Sequence, residues 1–231
     1  MSIWTIIPAA GVGSRMQADR PKQYLELLDS TVIEHTLNIF LDHARIEGVM
    51  IAISQEDPYW GKLDIAEHPH LTRVDGGTER CHSVLNALSW LAESDAKSDD
   101  WVLVHDAARP CLRQEDLEQL IDQVSGEGRG GILGIPVRDT MKQSAADGRH
   151  IDSTVDRSHL WHALTPQMFR LGELKQALEE ALNDGFLVTD EASAMEHAGQ
   201  APLLVRGHAD NLKITIPEDL ALAEFYLRRR S

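Results

Sequence analysis

The sequence predicts an α/β fold, a mostly parallel β-sheet with helices packed on both faces. Two observations carry this. Short apolar runs alternate with segments of helical period from Trp4 through Val137. The chain has 231 residues, 42% of them apolar, which is enough to bury one large core. The strands are expected at Trp4–Pro8, Val49–Ile53, Leu71–Val74, Trp101–His105 and Ile132–Val137. Three helices are expected between them. Thr31–Ala44 sets Ile33, Leu37, Phe40, Leu41 and Ala44 on one face, Glu79–Glu93 does so with Val84, Leu88 and Leu91, and Glu115–Val124 with Leu117, Leu120, Ile121 and Val124. Alternation of this kind implies right-handed crossovers. The expected result is a Rossmann-like three-layer α/β sandwich.

The C-terminal third is less regular. Leu171–Asn183 and Asp190–His197 have helical spacing, and Pro202–Val205 and Leu212–Thr215 have strand character. The last helix opens at Thr215-Ile216-Pro217-Glu218, a capping box with proline in the first turn. Arg228, Arg229 and Arg230 fall at its end, where a solvated cationic turn complements the helix dipole. Trp90, Trp101 and Trp161 are expected to pack the core.

Residues 138–157 break the rhythm. Asp147-Gly148 is a two-residue hairpin signal, and its flanks are too polar to form a core. The segment is expected to be a protruding β-hairpin arm on a single domain spanning 1–231. An exposed hairpin needs a partner or a cover, so a homodimer contact is expected there.

Asp plus Glu total 37 against 22 Lys plus Arg, a formal net charge of −15. That balance opposes a nucleic-acid-coating role, which needs a cationic field. A small anionic substrate in a local pocket is not excluded. No apolar run is long enough for a membrane span, and the N-terminus has no signal-peptide pattern, so a cytoplasmic protein is expected. Cys81 and Cys111 stand apart, in no metal or redox spacing, and are expected to be buried thiols. His68/His70 and His159/His162 lack a third ligand at a convincing spacing.

The segment most informative about chemistry follows the first strand: Pro8-Ala9-Ala10-Gly11-Val12-Gly13-Ser14-Arg15-Met16, then Arg20-Pro21-Lys22-Gln23. Small residues let backbone N–H groups approach anionic oxygens. Arg15 and Lys22 add fixed positive charge, which suits a triphosphate. No Gly-Lys-Ser/Thr ends the loop, and Met16 stands where a dinucleotide fingerprint needs glycine. Asp106 closes a strongly apolar strand at its carboxyl end, where it can hold Mg²⁺ or orient a hydroxyl. His105 is expected to be structural. Arg109 is a guanidinium suited to phosphate or polyol at the same mouth, and Gly76-Gly77 suit close backbone approach to a base or ribose.

Ala-Ala-Gly-x-Gly-x-Arg followed by Pro-Lys resembles the start of sugar-phosphate nucleotidyltransferases. Further segments narrow the resemblance: Asp75-Gly76-Gly77-Thr78-Glu79-Arg80 with Ser83, Val104-His105-Asp106-Ala107-Ala108-Arg109-Pro110, Pro136 to Lys142, Val155-Asp156-Arg157, His162 to Gln167, Thr189-Asp190-Glu191-Ala192-Ser193 and Asn211 to Thr215. Together, over essentially the whole chain, they resemble the 2-C-methyl-D-erythritol 4-phosphate cytidylyltransferase family of the non-mevalonate isoprenoid pathway.

The resemblance implies transfer of CMP from CTP to that polyol phosphate, with release of pyrophosphate. It implies CTP contacts from Pro8, Ala9, Ala10, Gly11, Gly13, Lys22, Gly77, Ser83, Asp106 and Ala107. Acceptor contacts are implied for Asp106, Arg109, Thr140, Arg157, Thr165, Thr189 and Lys213. Catalytic roles fall to Arg15, Lys22, Arg157 and Lys213, with Asp106 near a Mg²⁺ ion. The arm is implied to cross to a partner subunit and bring Thr140 and Arg157 into its site. Thr78 stands where the family often has an acidic residue, so no contact is assigned to it. Two other readings are a cytidylyltransferase for another polyol phosphate, such as ribitol 5-phosphate, and a catalytically silent nucleotide-binding protein.

Overall fold

In the computed structural model, residues 1–11, Met16 and residues 20–230 are described. Seven strands form the central sheet: β1 (Ile3–Pro8), β4 (Gly48–Ile53), β5 (Leu71–Asp75), β6 (Trp101–Val104), β7 (Gly131–Pro136), β10 (Trp161–Arg170) and β11 (Leu203–Arg206). Their order is β11-β7-β10-β6-β1-β4-β5. β1 pairs in parallel with β4 and β6, β4 with β5, and β7 with β11. β10 runs antiparallel between β6 and β7.

Alternation along each strand makes the sheet two-sided. Ile7, Ile51 and Leu103 face one core, together with Ile33, Leu37 and Phe40 of α1 (Val32–Leu41) and Leu117, Leu120 and Ile121 of α3 (Gln114–Glu127). Ile6, Met50, Val102 and Val104 face the other, against Val84 and Leu88 of α2 (Arg80–Glu93) and Leu174 and Leu178 of α4 (Leu171–Asn183). This is the expected three-layer sandwich. Each of these fully buried side chains is worth roughly 1.5–3 kcal/mol of burial free energy. At the start of α1, Thr31 Oγ1 accepts from the Glu34 N–H and Glu34 Oε2 accepts from the Thr31 N–H, a capping box.

Several expectations fail. The helix expected to reach Ala44 ends at Leu41. No strand forms at Leu212–Thr215. The Ile214 N–H bonds instead to Ala108 O at 2.8 Å, which ties this stretch to the loop after β6. Strand β10 carries no strand pattern of its own, because Pro166 and its polar neighbours give no alternation. Trp90 is 43% exposed on the outer side of α2, and Trp161 is only half-buried. Ahead of α6 (Pro217–Arg228), the cap is the Asp219 carboxylate, which accepts from the N–H groups of Thr215 and Ile216 at 2.8 and 3.1 Å. Arg230 is no free helix end, since it donates to the Cys111 carbonyl at 2.9 Å and to Asp210 at 2.6 Å.

The arm is a separate two-stranded antiparallel sheet, β8 (Met141–Ser144) with β9 (Ile151–Val155), whose residues are almost all exposed. Its turn is longer than the two-residue type. The Ala145 N–H still bonds to His150 O, Gly148 takes φ +65°, and Asp147 Oδ1 accepts from the N–H groups of Arg149 and His150. The remaining hairpin, β2 (Glu26–Leu27) with β3 (Ser30–Thr31), leads into α1.

Candidate active site

The carboxyl ends of β1, β5 and β6 open on one cleft, the place where parallel sheets bind ligands. Pro8, Ala9, Ala10 and Gly11 after β1 form one wall, and Gly77, Thr78 and Glu79 after β5 form another. Asp106, Ala107 and Ala108 after β6 lie at the floor, with Lys22 and Lys213 at the sides. The buried Gln23 fixes the first wall, since its amide donates to Ala9 O at 2.8 Å and to Gly11 O at 3.1 Å. A Cβ on Gly76 would stand 2.4 Å from that of Ala10, so the two walls touch only because residue 76 is glycine. The Gly77 N–H donates to Ser83 Oγ at 3.0 Å, and the Ser83 hydroxyl donates to Glu79 O at 3.2 Å. Ser83 therefore shapes the Gly77 turn.

At the floor, Asp106 collects three cations. Oδ1 accepts from Arg80 Nε at 3.0 Å, and Oδ2 from Arg109 Nε at 3.2 Å and Lys213 Nζ at 2.9 Å. Burial would raise the Asp106 pKa, but Arg80, Lys213 and Arg109 hold its carboxyl well below the usual carboxylate range. The other nitrogens of Arg80 grip Glu191, a carboxylate with no exposed surface at the start of α5 (Glu191–His197). Three cations and two carboxylates leave this cluster one positive charge in excess, beside Lys22, whose Nζ donates to Ile214 O at 2.7 Å. A mouth of that charge attracts phosphate.

Beneath it runs a neutral relay. The Asp106 N–H donates to Thr165 Oγ1, the Thr165 hydroxyl to His105 Nδ1, and His105 Nε2–H to Arg109 O. Only this assignment satisfies all three groups, because the Arg109 carbonyl can only accept. Burial pushes the His105 pKa down to about 4, which keeps the ring neutral. Asn211 closes the ring of contacts: its side-chain amide donates to Thr165 O at 2.8 Å, and its backbone carbonyl accepts from Arg109 at 2.7 Å.

Comparison with known proteins matches residues 3–229 to the family model of IspD, 2-C-methyl-D-erythritol 4-phosphate cytidylyltransferase. The chain belongs to this family. It is similar to the 2-C-methyl-D-erythritol 4-phosphate cytidylyltransferase of Pseudomonas aeruginosa, with 58% identity covering 95% of this chain and 93% of that protein. The Vibrio vulnificus enzyme of the same name is 55% identical, over 99% and 95% of the two chains. A crystal structure of the Francisella tularensis cytidylyltransferase matches with a TM-score of 0.86 and 35% identity, covering 98% of this chain and 100% of that one.

Most of the residues that the family resemblance singled out meet in the cleft. Pro8, Ala9, Ala10, Gly11, Lys22, Gly77, Ser83, Asp106, Ala107 and Lys213 all line it. Arg109 is buried behind Asp106. Thr165 is 5% exposed, and its hydroxyl is committed to Asp106 and His105, so it supports the floor. Thr189 is exposed just before α5. Thr140 and Arg157 sit exposed on either side of the base of the arm, next to the Met141–Val155 pair, and do not line this cleft. Gly13 and Arg15 lie outside the described residues.

Asp106 is the carboxylate at the cleft floor that would stand beside a Mg²⁺ ion carried by a triphosphate, since Mg²⁺ takes one or two carboxylates together with substrate phosphates. In this structure its two oxygens serve three cations, Oδ1 one of them and Oδ2 two. Glu191 and Gln23 were missed as parts of the site. Gln23 follows Pro21-Lys22 and Glu191 lies within Thr189–Ser193, but only the distance to its partner reveals what each holds. Among the described residues, no helix is long and apolar enough to cross a membrane.

Proposed function

We propose that this chain transfers CMP from CTP to 2-C-methyl-D-erythritol 4-phosphate, giving 4-diphosphocytidyl-2-C-methyl-D-erythritol and pyrophosphate, in the cytoplasm. The observation that carries this reading is the cleft at the ends of β1, β5 and β6, walled by backbone and small side chains and floored by the Asp106 cluster. A phosphate oxygen of the acceptor attacks the α-phosphorus in line with the departing pyrophosphate. That oxygen is already an anion, so no strong general base is needed. Catalysis is positioning plus charge stabilisation.

In this reading Gly77 and the turn shaped by Ser83 receive the cytidine, and the wall from Pro8 to Gly11, with Gly13, faces the triphosphate. Arg15 and Lys22 stabilise the transition state and the leaving group. Lys213 orients the attacking phosphate, Asp106 faces the acceptor with Arg109 behind it adding its charge, and Thr189 lies at the acceptor end. A Mg²⁺ ion arriving with CTP would neutralise charge on the triphosphate, with Asp106 as the carboxylate nearest to it.

The arm of a second copy supplies Thr140 and Arg157, which makes the working unit a homodimer of single-domain chains. Two things support this. The arm is exposed on nearly every residue, and its own Arg157 does not line its own cleft.

The test is pyrophosphate release with CTP, ATP, GTP or UTP in the presence of Mg²⁺, with methylerythritol 4-phosphate or ribitol 5-phosphate as acceptor. Release with CTP and methylerythritol phosphate, and little with the other combinations, is expected. Preference for ribitol 5-phosphate, or CTP binding without turnover, overturns the reading.

A further inference from the structure

The turn that opens α2 gives Gly77, Arg80 and Ser83 to the cleft. The same turn gathers three donors of a different kind, one of them, Glu79, from the cleft wall. Glu79, Cys81 and His82 each offer one ligand atom within 4.8 Å of the other two. Cys81 Sγ lies 3.8 Å from Glu79 Oε2. A thiolate and a carboxylate on one tetrahedral zinc ion, at about 2.3 and 2.0 Å, stand about 3.5 Å apart. The pair is therefore a few tenths of an ångström from ligating distance.

The third donor is held in place. His82 Nδ1 is 3.0 Å from Thr78 Oγ1, the kind of outer contact that orients a metal-binding imidazole. His82 also packs where residue 77 has no side chain, since a Cβ on Gly77 would stand 2.3 Å from His82 Cβ. Glu79 is exposed and offers an entry path, while Cys81 is buried and shielded from bulk solvent.

We propose that Glu79, Cys81 and His82 form a binding site for a thiophilic divalent cation of the Zn²⁺ type, at the rim of the nucleotide cleft. The ligand set decides the class. Sulfur and imidazole favour Zn²⁺, whereas Mg²⁺ demands six oxygens. Three protein ligands leave a fourth position for water. On binding, the metal–sulfur bond replaces the S–H bond of Cys81, and the proton leaves to solvent. The ion is separate from any Mg²⁺ that travels with a triphosphate.

The test uses the full chain stripped of metal by chelation. Co²⁺ is titrated in to develop a thiolate-to-metal charge-transfer band, and Zn²⁺ is then added to displace it and yield a dissociation constant. One strong site is expected. Cys81→Ser should lose the band and weaken Zn²⁺ binding about 100-fold or more, beyond what loss of an outer-shell contact costs. His82→Ala should weaken it at least tenfold. Cys111→Ser, which removes the other thiol, should keep the band. Thermal melts check that each variant folds, and His82→Ala at its half-buried position carries the test if Cys81→Ser does not fold. Absence of a band in the wild type, a band that survives Cys81→Ser, or Zn²⁺ affinity unchanged in His82→Ala overturns the proposal.

Discussion

Arg80 grips Glu191 through two N–H donors, at 2.6 and 3.0 Å, and this fork fixes the plane of its guanidinium so that Nε meets Asp106 at 3.0 Å. The carboxylate of Glu191 touches no solvent, so it acts on the cleft only through Arg80. Lysine has the charge but not the fork. Arg80→Lys should therefore cut kcat/KM by about 10²-fold, as loss of one positioned charge contact does in other sites. Glu191→Ala removes the two-bond partner of Arg80, leaves only Asp106 to pair it, and should cost up to about 3–5 kcal/mol of stability. Denaturant unfolding and steady-state kinetics check both. Wild-type kinetics in Arg80→Lys would show that the fork does not matter.

Lys22 stands at the side of the cleft. If it stabilises the transition state, Lys22→Ala should lower kcat by about 10²-fold or more and change CTP affinity far less. Nucleotide binding by calorimetry and turnover by pyrophosphate release separate the two effects. Equal loss in both would make Lys22 a simple binding residue.

Arg157 is exposed at the base of the arm. Arg157→Ala should raise KM for the phosphorylated acceptor and leave CTP binding intact. Co-expressed Arg157→Ala and Lys22→Ala chains should regain activity, because each mixed dimer holds one site with neither substitution. Mixed dimers isolated with two affinity tags and still inactive would refute the shared site.

His105 sets a pH dependence of stability. Its folded pKa, about 4, lies below the ordinary histidine value of 6.5, because burial disfavours the imidazolium. The unfolded chain therefore takes up this proton first as pH falls. The contribution of His105 is complete above pH 6.5 and drains away between 6.5 and about 4. That interval corresponds to roughly 3 kcal/mol. His105→Gln should be less stable than the wild type at pH 7 but lose less on acidification, as melting curves across this range will show. Asp106 acts at the acid end: three cations hold its folded carboxyl well below the ordinary value, so it contributes stability that is present above about pH 5 and is lost as the unfolded carboxylate takes up its proton below that.

Gly76→Ala should pry the two cleft walls apart. The added Cβ would meet Ala10 Cβ at 2.4 Å and Ile53 backbone at 3.3 Å. Overpacking of this kind costs about 1–3 kcal/mol. CTP affinity should fall together with stability, measured by calorimetry and by unfolding.

The sequence by itself determined the layered fold and the cleft walls, because both are written in local pattern. Period-two alternation in Ile6-Ile7 and Met50-Ile51 assigns faces before any contact is known. Glycine and alanine after β1 and β5 announce close approach wherever the chain is placed. Tertiary structure decided who pairs with whom. Arg80 and Glu191 are 111 residues apart, and Lys22 and Ile214 192 apart. No periodicity links such positions, and any of the acidic residues could have met Arg80. The antiparallel insertion of β10, with Pro166 at its centre, was hidden for the same reason: its pairing is fixed by β6 and β7 on either side, not by its own pattern. It is this insertion that places Thr165 under Asp106 and docks the start of α5 through Gln167, which accepts from the Ala192 N–H and donates to Asp190. The −15 charge of the whole chain is a sum and carries no geometry. The local positive excess at one mouth exists only because folding brings Arg80, Arg109 and Lys213 to a single carboxylate.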